Sequence, residues 1–311
     1  MIEYRAEPEA AAERARAKLL ALLRVSEGAA YHNAHVKRYP DGGAVVTVFD
    51  RAIMRERGLE EAGGSRAAAE PEGEGAARRT PESDKRDRAQ RRAKAAVYDL
   101  ARCNDLGLFL TLTVSPERAD RYDAAEVLRH LRYWLDNAVR RRGLVYVLIP
   151  ELHKDGAVHF HALTNEALEL VDSGTVIPPG GGKPRKPRSA AQRQAWLAAG
   201  GGVVYNVPGW SWGYSTAIRL YGDRRAAVGY VVKYITKAEG KIGGRWYYSG
   251  GKLKRPVVYA EDMDFSAAAE LGHVFDVAEL GCRGVKIEME GDSVHETMER
   301  LSRPSGPVLD T

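Results

Sequence analysis

Two tyrosines with lysines beside them are the most reactive pattern in this sequence. Tyr230 and Tyr234 are four residues apart, and Lys233 and Lys237 each follow one of them by three residues. Residues at these spacings share one face of a helix. A phenol has an ordinary pKa of about 10, so it is a poor nucleophile at neutral pH unless a cation stabilises the phenolate or a base takes its proton. The pattern predicts two candidate nucleophiles with cations nearby, and the alternative is that the tyrosines pack on a sheet while the lysines are solvated.

A second pattern consists of residues that can bind a metal ion. His159 and His161 alternate on a predicted strand, so both imidazoles point to one face. Glu151 ends the preceding predicted strand, and Asp155-Gly156 predicts a tight turn between the two strands. Two imidazoles and a carboxylate could hold a divalent cation and leave positions for water and substrate. Taken alone, the histidines could be half-buried sheet residues and Glu151 a turn cap, but together with the phenols they predict phosphoryl transfer on DNA.

The predicted elements place both patterns on regular structure. The tyrosines fall on a helix that follows a long strand, and the histidines fall on the second strand of a hairpin. Residues 63–83 and 172–202 are rich in Gly, Pro and charged residues, which is typical of a linker and a long loop. Apolar periodicity predicts helices at residues 7–23, 84–102, 124–141, 189–199 and 226–236, and strands at residues 44–49, 109–114, 145–149, 157–163 and 210–220.

The charge of the chain is uneven. Residues 261–311 contain twelve Asp or Glu against four Lys or Arg, a local charge of −8, which leaves +13 for residues 1–260. A basic excess attracts a polyanion such as nucleic acid. A solvated face remains the alternative for any single cluster. The candidate DNA-binding residues are Arg91 and Arg92 on a basic helix, Lys183, Arg185, Lys186 and Arg188 in the long loop, and Lys252, Lys254 and Arg255.

Other sequence features limit the class of protein. Cys103 and Cys282 are too few for a disulfide framework or a four-thiolate zinc site. No apolar run approaches the roughly 18 residues of a spanning helix, and residues 1–5 do not begin a signal peptide. We expect a soluble, cytoplasmic protein of a bacterial or archaeal host cell that does not act at a membrane. The sequence lacks a phosphate-binding loop, so an ATP-driven motor is not expected.

Three segments, in order, resemble the motifs of the HUH endonucleases. They are residues 109–113 (FLTLT), residues 151–161 (ELHKDGAVHFH) and residues 230–237 (YVVKYITK). The match is closest to the rolling-circle replication initiators of phages and plasmids, of the type with two tyrosines. The resemblance implies an α+β fold with a central five-stranded antiparallel sheet, similar to ferredoxin or RNA-recognition domains, flanked by helices. It covers roughly residues 84–260, the predicted endonuclease domain. Residue patterns and composition predict an N-terminal helical and strand appendage with a linker at 1–83 and an acidic tail at 261–311.

The same resemblance implies a role for each site residue. His159, His161 and Glu151 would bind Mg²⁺ or Mn²⁺, which polarises the scissile phosphate. Tyr234 would attack single-stranded origin DNA, leaving a 5′-phosphotyrosine and a free 3′-OH, and Tyr230 would act in a second cleavage or in rejoining, without ATP. Lys237, with Lys233, would neutralise charge.

Partners and competing functions follow from the resemblance as well. A host polymerase would extend the 3′-OH, and a host helicase would unwind the duplex. Trp210, Trp212 or Trp246 could stack on bases, although a tryptophan at such a position is more often a core residue than a stacking platform. The alternatives are a relaxase or transposase of the same superfamily, acting on a transfer origin or element end, and a non-catalytic DNA-binding repressor. The sequence does not indicate the oligomeric state.

Overall fold

The computed structural model describes residues 31–55, 81–220, 224–237, 240–277 and 280–302. The chain forms two compact units. One is Arg78–Arg255, and the other combines Met1–Ala77 with Pro256–Thr311. The second unit is therefore discontinuous in sequence, with the first inserted between its two halves.

The unit Arg78–Arg255 is built on a seven-stranded antiparallel sheet. The strands are β5 (Leu108–Val114), β6 (Tyr146–Leu152), β7 (Val158–Thr164), β8 (Val171–Ile177), β9 (Gly202–Asn206), β10 (Gly213–Arg219) and β11 (Tyr248–Gly250). Their order in the sheet is β11-β6-β7-β5-β10-β9-β8, so the two strands of the predicted histidine hairpin, β6 and β7, are neighbours inside the sheet. The helices are α1 (Pro81–Cys103), α2 (Ala124–Arg142), α3 (Ala190–Ala198) and α4 (Arg224–Lys237).

Helix α2 covers one face of this sheet with apolar side chains at three- and four-residue spacing. Asp123 caps its N-terminus by accepting hydrogen bonds from two backbone N–H groups, and Gly143 ends it with a left-handed φ of 69°. Alternate residues of β5, β6 and β7 face the helix, among them the fully buried Phe160. The helix contributes Val127, Leu128, Leu131, Trp134, Leu135 and Ala138 to this core.

Helices α1 and α4 pack on the opposite face. Val228, Val231 and Ile235 of α4 have the spacing of a single helix face, and they meet Ile149 of β6 and Leu163 of β7 in a second apolar core. Helix α1 contributes Ala93, Val97, Leu100 and Ala101 to the same core. The apolar contacts hold α4 against β6 and β7.

The unit formed by residues 31–55 and 256–302 contains its own antiparallel sheet of five strands. These are β2 (Ala34–Arg38), β3 (Ala44–Phe49), β12 (Val257–Glu261), β13 (His273–Val277) and β14 (Cys282–Met289). Their order in the sheet is β12-β2-β3-β14-β13. Helices α5 (Phe265–Leu271) and α6 (Ser293–Leu301) cover one face over Val36, Val46, Val48 and Ile287. Two short strands, β1 (Tyr31–His32) and β4 (Met54–Arg55), pair separately.

The expected α+β fold with antiparallel strands is confirmed, but the expectation of one five-stranded sheet is wrong. The described residues form two sheets of five or more strands, and the one that carries the motifs has seven strands. Strands β8 and β9 lie in or beside the segment predicted as a long loop. The apolar pattern of β8 is weak because it is an edge strand in which only Val176 is buried. No helix in the described ranges is long and apolar enough to cross a membrane.

The sequence suggested three parts with boundaries after residues 83 and 260. In the structure, α1 begins at Pro81, and the described part of residues 261–311 forms strands and helices that share a sheet with β2 and β3. The alternation of β14, with buried Val285, Ile287 and Met289, is that of a strand with one face in the core. The predicted helix at 7–23 and the predicted linker up to residue 80 lie outside the described residues.

Candidate active site

Strand β7 presents both histidines to the face covered by α1 and α4. His159 and His161 alternate with Phe160, whose ring is buried in the core beneath α2. Because alternate residues of a strand point to opposite faces, the same strand contributes to the core on one side and to a polar cluster on the other. His161 is buried and His159 is half-buried.

Two threonine hydroxyls from β5 orient the imidazoles. Thr111 Oγ1 lies 3.2 Å from His161 Nδ1, and Thr113 Oγ1 lies 3.3 Å from His159 Nδ1. The register places each threonine directly opposite its histidine across the β5–β7 pair. Since both contacts use Nδ1, the Nε2 atom of each ring is left on the side away from the threonine. A hydrogen bond to one ring nitrogen fixes the orientation and tautomer of an imidazole ligand.

Glu151 connects β6 to this pair. It lies directly opposite His159 in the β6–β7 register, and its Oε2 is 2.9 Å from His161 Nε2. The carboxylate thus lies on the same face as both imidazoles. Burial lowers the pKa of His159 below the ordinary imidazole value, and the neighbouring His153 acts in the same direction. A low pKa keeps the ring neutral at neutral pH, which is the form that binds a metal ion.

Tyr234 of α4 lies directly over this cluster. Its ring is stacked on the ring of His161, with centroids 3.8 Å apart and planes inclined by 17°. Phe109 of β5 is also nearly parallel to His161, at 5.8 Å. Ile235, next to Tyr234, is fully buried, so the core holds this turn of α4 in place. The structure therefore brings the predicted tyrosine and one predicted metal ligand into direct contact.

The other helix residues of the predicted site are described only in part. Tyr230 and Lys237 lie on α4, one turn before and near one turn after Tyr234, but their side chains lie outside the described part of the structure. Lys233 is exposed. The spacing of Tyr230 and Tyr234 keeps the two residues on one side of the helix.

A group of residues at the β6–β7 turn was missed by sequence reasoning. The ring of His153 stacks on His159 with centroids 4.9 Å apart, and its Nδ1 is 3.3 Å from Asp155 Oδ1. Asp155 also accepts a hydrogen bond from Arg121, 2.9 Å away, and one from the backbone N–H of Ala157. The backbone hydrogen bond, with Arg121 and His153 in support, lowers the pKa of the Asp155 carboxyl. The one sequence signal for the contact between His153 and His159 is that His153 lies between the two predicted strands of the hairpin.

The donor atoms fit a divalent cation by their chemistry. Two imidazole Nε2 atoms and a carboxylate on one sheet face form a mixed set of nitrogen and oxygen ligands that suits Mn²⁺. Mg²⁺ prefers oxygen ligands, so it would bind chiefly through the carboxylate. Among the described residues, however, no group of three or more His, Cys, Asp or Glu side chains has its donor atoms already arranged around a metal position. The short contact between Glu151 and His161 joins two of these donors directly.

The candidate DNA-binding residues occupy three separate segments. Arg91 and Arg92 lie on α1, where Arg91 is half-buried and Arg92 exposed. Lys183, Arg185, Lys186 and Arg188 are exposed in the loop between β8 and α3, and the backbone of Arg185 forms a bridge with Val176 of β8. Lys252, Lys254 and Arg255 are exposed beyond β11.

The tryptophans considered for base stacking are mostly core residues. Trp210 and Trp246 are buried, and Trp210 Nε1 donates a hydrogen bond to the carbonyl of Thr113. Trp212 is half-buried and stacks on His130, with centroids 3.5 Å apart. The core alternative therefore holds for Trp210 and Trp246.

A comparison with known protein families gives a match over the candidate site. Residues 107–239 match the family model of the replication-associated proteins, described as Replication-associated protein ORF2. The matched segment resembles replication-associated proteins. It covers less than half of the chain, but it runs from β5 through α4 and so contains Glu151, both histidines and Tyr234. No curated protein and no solved structure matches the chain significantly.

Proposed function

We propose that this protein is a replication initiator that nicks single-stranded DNA with Tyr234 as the nucleophile. The observation that carries the proposal is the stack of Tyr234 on His161, an imidazole whose Nε2 also contacts Glu151. The similarity of residues 107–239 to replication-associated proteins supports the choice of an initiator over a relaxase or transposase. A purely DNA-binding repressor would not need a phenol, two imidazoles and a carboxylate on one face.

His159, His161 and Glu151 would hold the divalent cation of such an enzyme. When bound, Mg²⁺ or Mn²⁺ would supply Lewis-acid polarisation of the scissile phosphate. Thr111 and Thr113 contact the Nδ1 atoms of the two imidazoles, which leaves both Nε2 atoms as the ring nitrogens that could bind the cation. Burial keeps His159 neutral by lowering its pKa, in the state suited to bind a cation.

The covalent step that we propose conserves atoms and charge. The phenol of Tyr234 loses its proton to solvent, and its oxygen bonds to the phosphorus of a DNA phosphodiester. The bond from phosphorus to the 3′-oxygen of the preceding nucleotide breaks, and that oxygen takes a proton and leaves as a free 3′-OH. The products are a 5′-phosphotyrosine on the protein and a primer end that a host polymerase could extend. Because the phosphotyrosyl ester replaces the diester, the reverse reaction rejoins the strand without ATP.

The remaining residues of α4 have supporting roles in this proposal. Tyr230, one turn from Tyr234, would cleave or rejoin a second strand while Tyr234 is still esterified. Lys233 and Lys237 would neutralise charge on the phosphate or phenolate. A host helicase would supply unwinding.

A covalent-capture assay tests the proposal. The full chain is incubated with Mn²⁺ and a randomised single-stranded DNA library labelled at either the 5′ or the 3′ end, and the protein is recovered under denaturing conditions. We expect retention of the 3′-labelled fragment only, loss of retention in EDTA, and a DNA-modified peptide that contains Tyr234.

Variants make the assay specific for the phenol. Tyr234→Phe should lose the adduct, whereas Tyr133→Phe, which alters an exposed tyrosine on α2, should keep it. Tyr230→Phe should still form the first adduct. Absence of any metal-dependent adduct from the wild-type chain would refute the enzymatic function, and a full adduct in Tyr234→Phe would transfer the role to another residue.

A further inference from the structure

Residues that lie directly opposite one another on neighbouring strands form a row across the seven-stranded sheet. One such row extends the candidate active site beyond β5. Glu151 lies opposite His159, His159 opposite Thr113, and Thr113 opposite Tyr214 of β10. Directly opposed residues of antiparallel strands point to the same face. Tyr214 is thus on the face of the histidines, two strands from His159, which corresponds to roughly 10 Å between their Cα positions at ordinary strand spacing.

Tyr214 is far more exposed than a packing role requires. Its relative exposure is 73%, the highest among the large apolar and aromatic residues of the described part of the chain. The next row on the same face is also polar at β5 and β10, because Thr216 of β10 lies opposite Thr111 of β5. An exposed aromatic ring and hydroxyl groups therefore continue the polar part of the face from the histidines to β10.

The backbone that carries Tyr214 is held firmly. A Cβ added to Gly213 would come within 2.2 Å of the carbonyl oxygen of Thr113, so only glycine permits β10 to approach β5 this closely. The carbonyl of Trp212 accepts a hydrogen bond from the N–H of Ser115, and the ring of Trp212 stacks on His130. An aromatic side chain on a fixed backbone loses little conformational entropy when it binds a ligand.

Exposure alone does not make a tyrosine functional, because single exposed aromatic residues are common on protein surfaces. Tyr133 illustrates this point: it is 69% exposed, but it lies on α2, which packs on the other face of the sheet. Tyr214 differs in sharing a row with the candidate metal ligands. An unpaired base stacks on an exposed aromatic ring, whereas a base inside a duplex cannot.

We propose that Tyr214 is a base-stacking subsite that binds one unpaired nucleotide of the DNA strand whose phosphate lies at His159 and His161. The subsite rests on the proposed function, since it needs a single strand at the histidines. It adds a reason for preferring single-stranded over double-stranded DNA, because only an unstacked base can reach the ring.

Binding measurements test the subsite without any cleavage. The full chain is titrated in EDTA with fluorescein-labelled oligothymidylate and with an abasic oligonucleotide of equal length, which has the same phosphates but no bases. Removal of an aromatic side chain on which one base stacks weakens single-strand binding by roughly five- to 150-fold. We expect Tyr214→Ala to weaken binding of oligothymidylate by about tenfold and binding of the abasic strand hardly at all.

Matched variants separate stacking from other effects. Tyr214→Phe keeps the ring and should bind like the wild type, and Tyr133→Ala removes a similarly exposed ring from α2 and should also bind like the wild type. The salt dependence of binding should not change in Tyr214→Ala, because no phosphate contact is lost. Equal losses on both oligonucleotides, or no loss on either, would overturn the subsite.

Failure of the subsite and failure of the proposed function give different results. A wild-type chain that forms the covalent adduct while Tyr214→Ala binds oligothymidylate normally overturns the subsite alone. A wild-type chain that forms no adduct while Tyr214→Ala loses base-dependent binding overturns the nicking activity and leaves a base-stacking surface.

Discussion

The two faces of the seven-stranded sheet use the same strands for different purposes. On the α2 face, β5 and β7 contribute a continuous set of apolar residues such as Leu110, Leu112 and Phe160, nearly all fully buried. On the α4 face, the apolar core ends near Leu163, and the next positions along β7 and β5 are His161, His159 and two threonines. The α2 face is therefore apolar along both strands, while the α4 face keeps polar groups at positions where packing alone would favour apolar ones.

Polar groups in a helix-covered face carry a cost unless they are paired. The pairing here is specific: each histidine has its own threonine, and His161 also contacts Glu151 and the ring of Tyr234. Such a set of contacts is typical of a functional site, where polar residues needed for a reaction occupy positions at which packing would favour apolar ones. Substitutions at the polar positions of the α4 face should therefore reduce activity more than stability. Substitutions on the α2 face should reduce stability more than activity.

His161, on the α4 face, should be the most sensitive position for activity. His161→Asn removes one imidazole from the proposed cation site, and loss of Lewis-acid stabilisation worth several kcal/mol should slow adduct formation by about a thousandfold or more. The rate of adduct formation in Mn²⁺ measures this, with urea unfolding as a check that the variant folds. Near-normal rates in a folded His161→Asn chain would remove the histidine from the mechanism.

The neighbouring residue on the opposite face should affect stability instead. Phe160→Ala deletes a fully buried ring from the core beneath α2, and large-to-small changes of this kind cost about 3–5 kcal/mol. Equilibrium unfolding in urea measures the loss. Adduct formation by the fraction that remains folded at low temperature should be close to that of the wild type, and a selective loss of activity without destabilisation would contradict the division between the faces.

Thr113 should have an intermediate effect on metal affinity. Thr113→Val keeps the shape of the side chain but removes the hydroxyl next to His159 Nδ1, and loss of such an orienting partner costs about 10–100-fold in metal affinity. Calorimetric titration with Mn²⁺ measures the change. Thr216→Val is the matched control, because Thr216 lies on the same face opposite Thr111 rather than opposite a histidine, and it should bind Mn²⁺ like the wild type.

The cap of α2 should give the weakest effect of the four. Asp123 accepts hydrogen bonds from the N–H groups of Ala125 and Glu126, so Asp123→Ala should lower the free energy of unfolding by about 1 kcal/mol without changing adduct formation. Asp123→Asn, which can still cap the helix, should lose much less. A change in activity larger than the change in stability would show that α2 also influences the site.

Several elements were predictable because their patterns are local. The alternation of β5, the three- and four-residue spacing of α2 with its Asp123 cap, and the hairpin of β6 and β7 all follow from short stretches of sequence. Strand β3 was predicted with its observed bounds, Ala44–Phe49. Strands β8, β9 and β11 were missed because each is short or has only one buried residue, so that its own sequence carries little apolar pattern.

The pairing of strands that are far apart in the sequence could not be predicted from local sequence patterns. Residues 261–311 were interpreted as an acidic tail because their acidic residues outnumber their basic ones. In the structure the charged Lys286 and Glu288 of β14 alternate with buried Ile287 and Met289, and the strand pairs with β3, which is far from it in sequence. Nothing local in either strand identifies the other as its partner.

Residue types and their spacing determined which side chains are the candidates for the proposed chemistry: a histidine pair with period two, a carboxylate before a turn, and tyrosines on a helix. The folded chain was needed to show that Tyr234 lies on His161, that Thr111 and Thr113 orient the imidazoles, and that Tyr214 stands in the same row. The physical reason is that side-chain type and local period are properties of neighbouring residues, whereas register between strands and the seating of a helix are fixed by packing of distant segments.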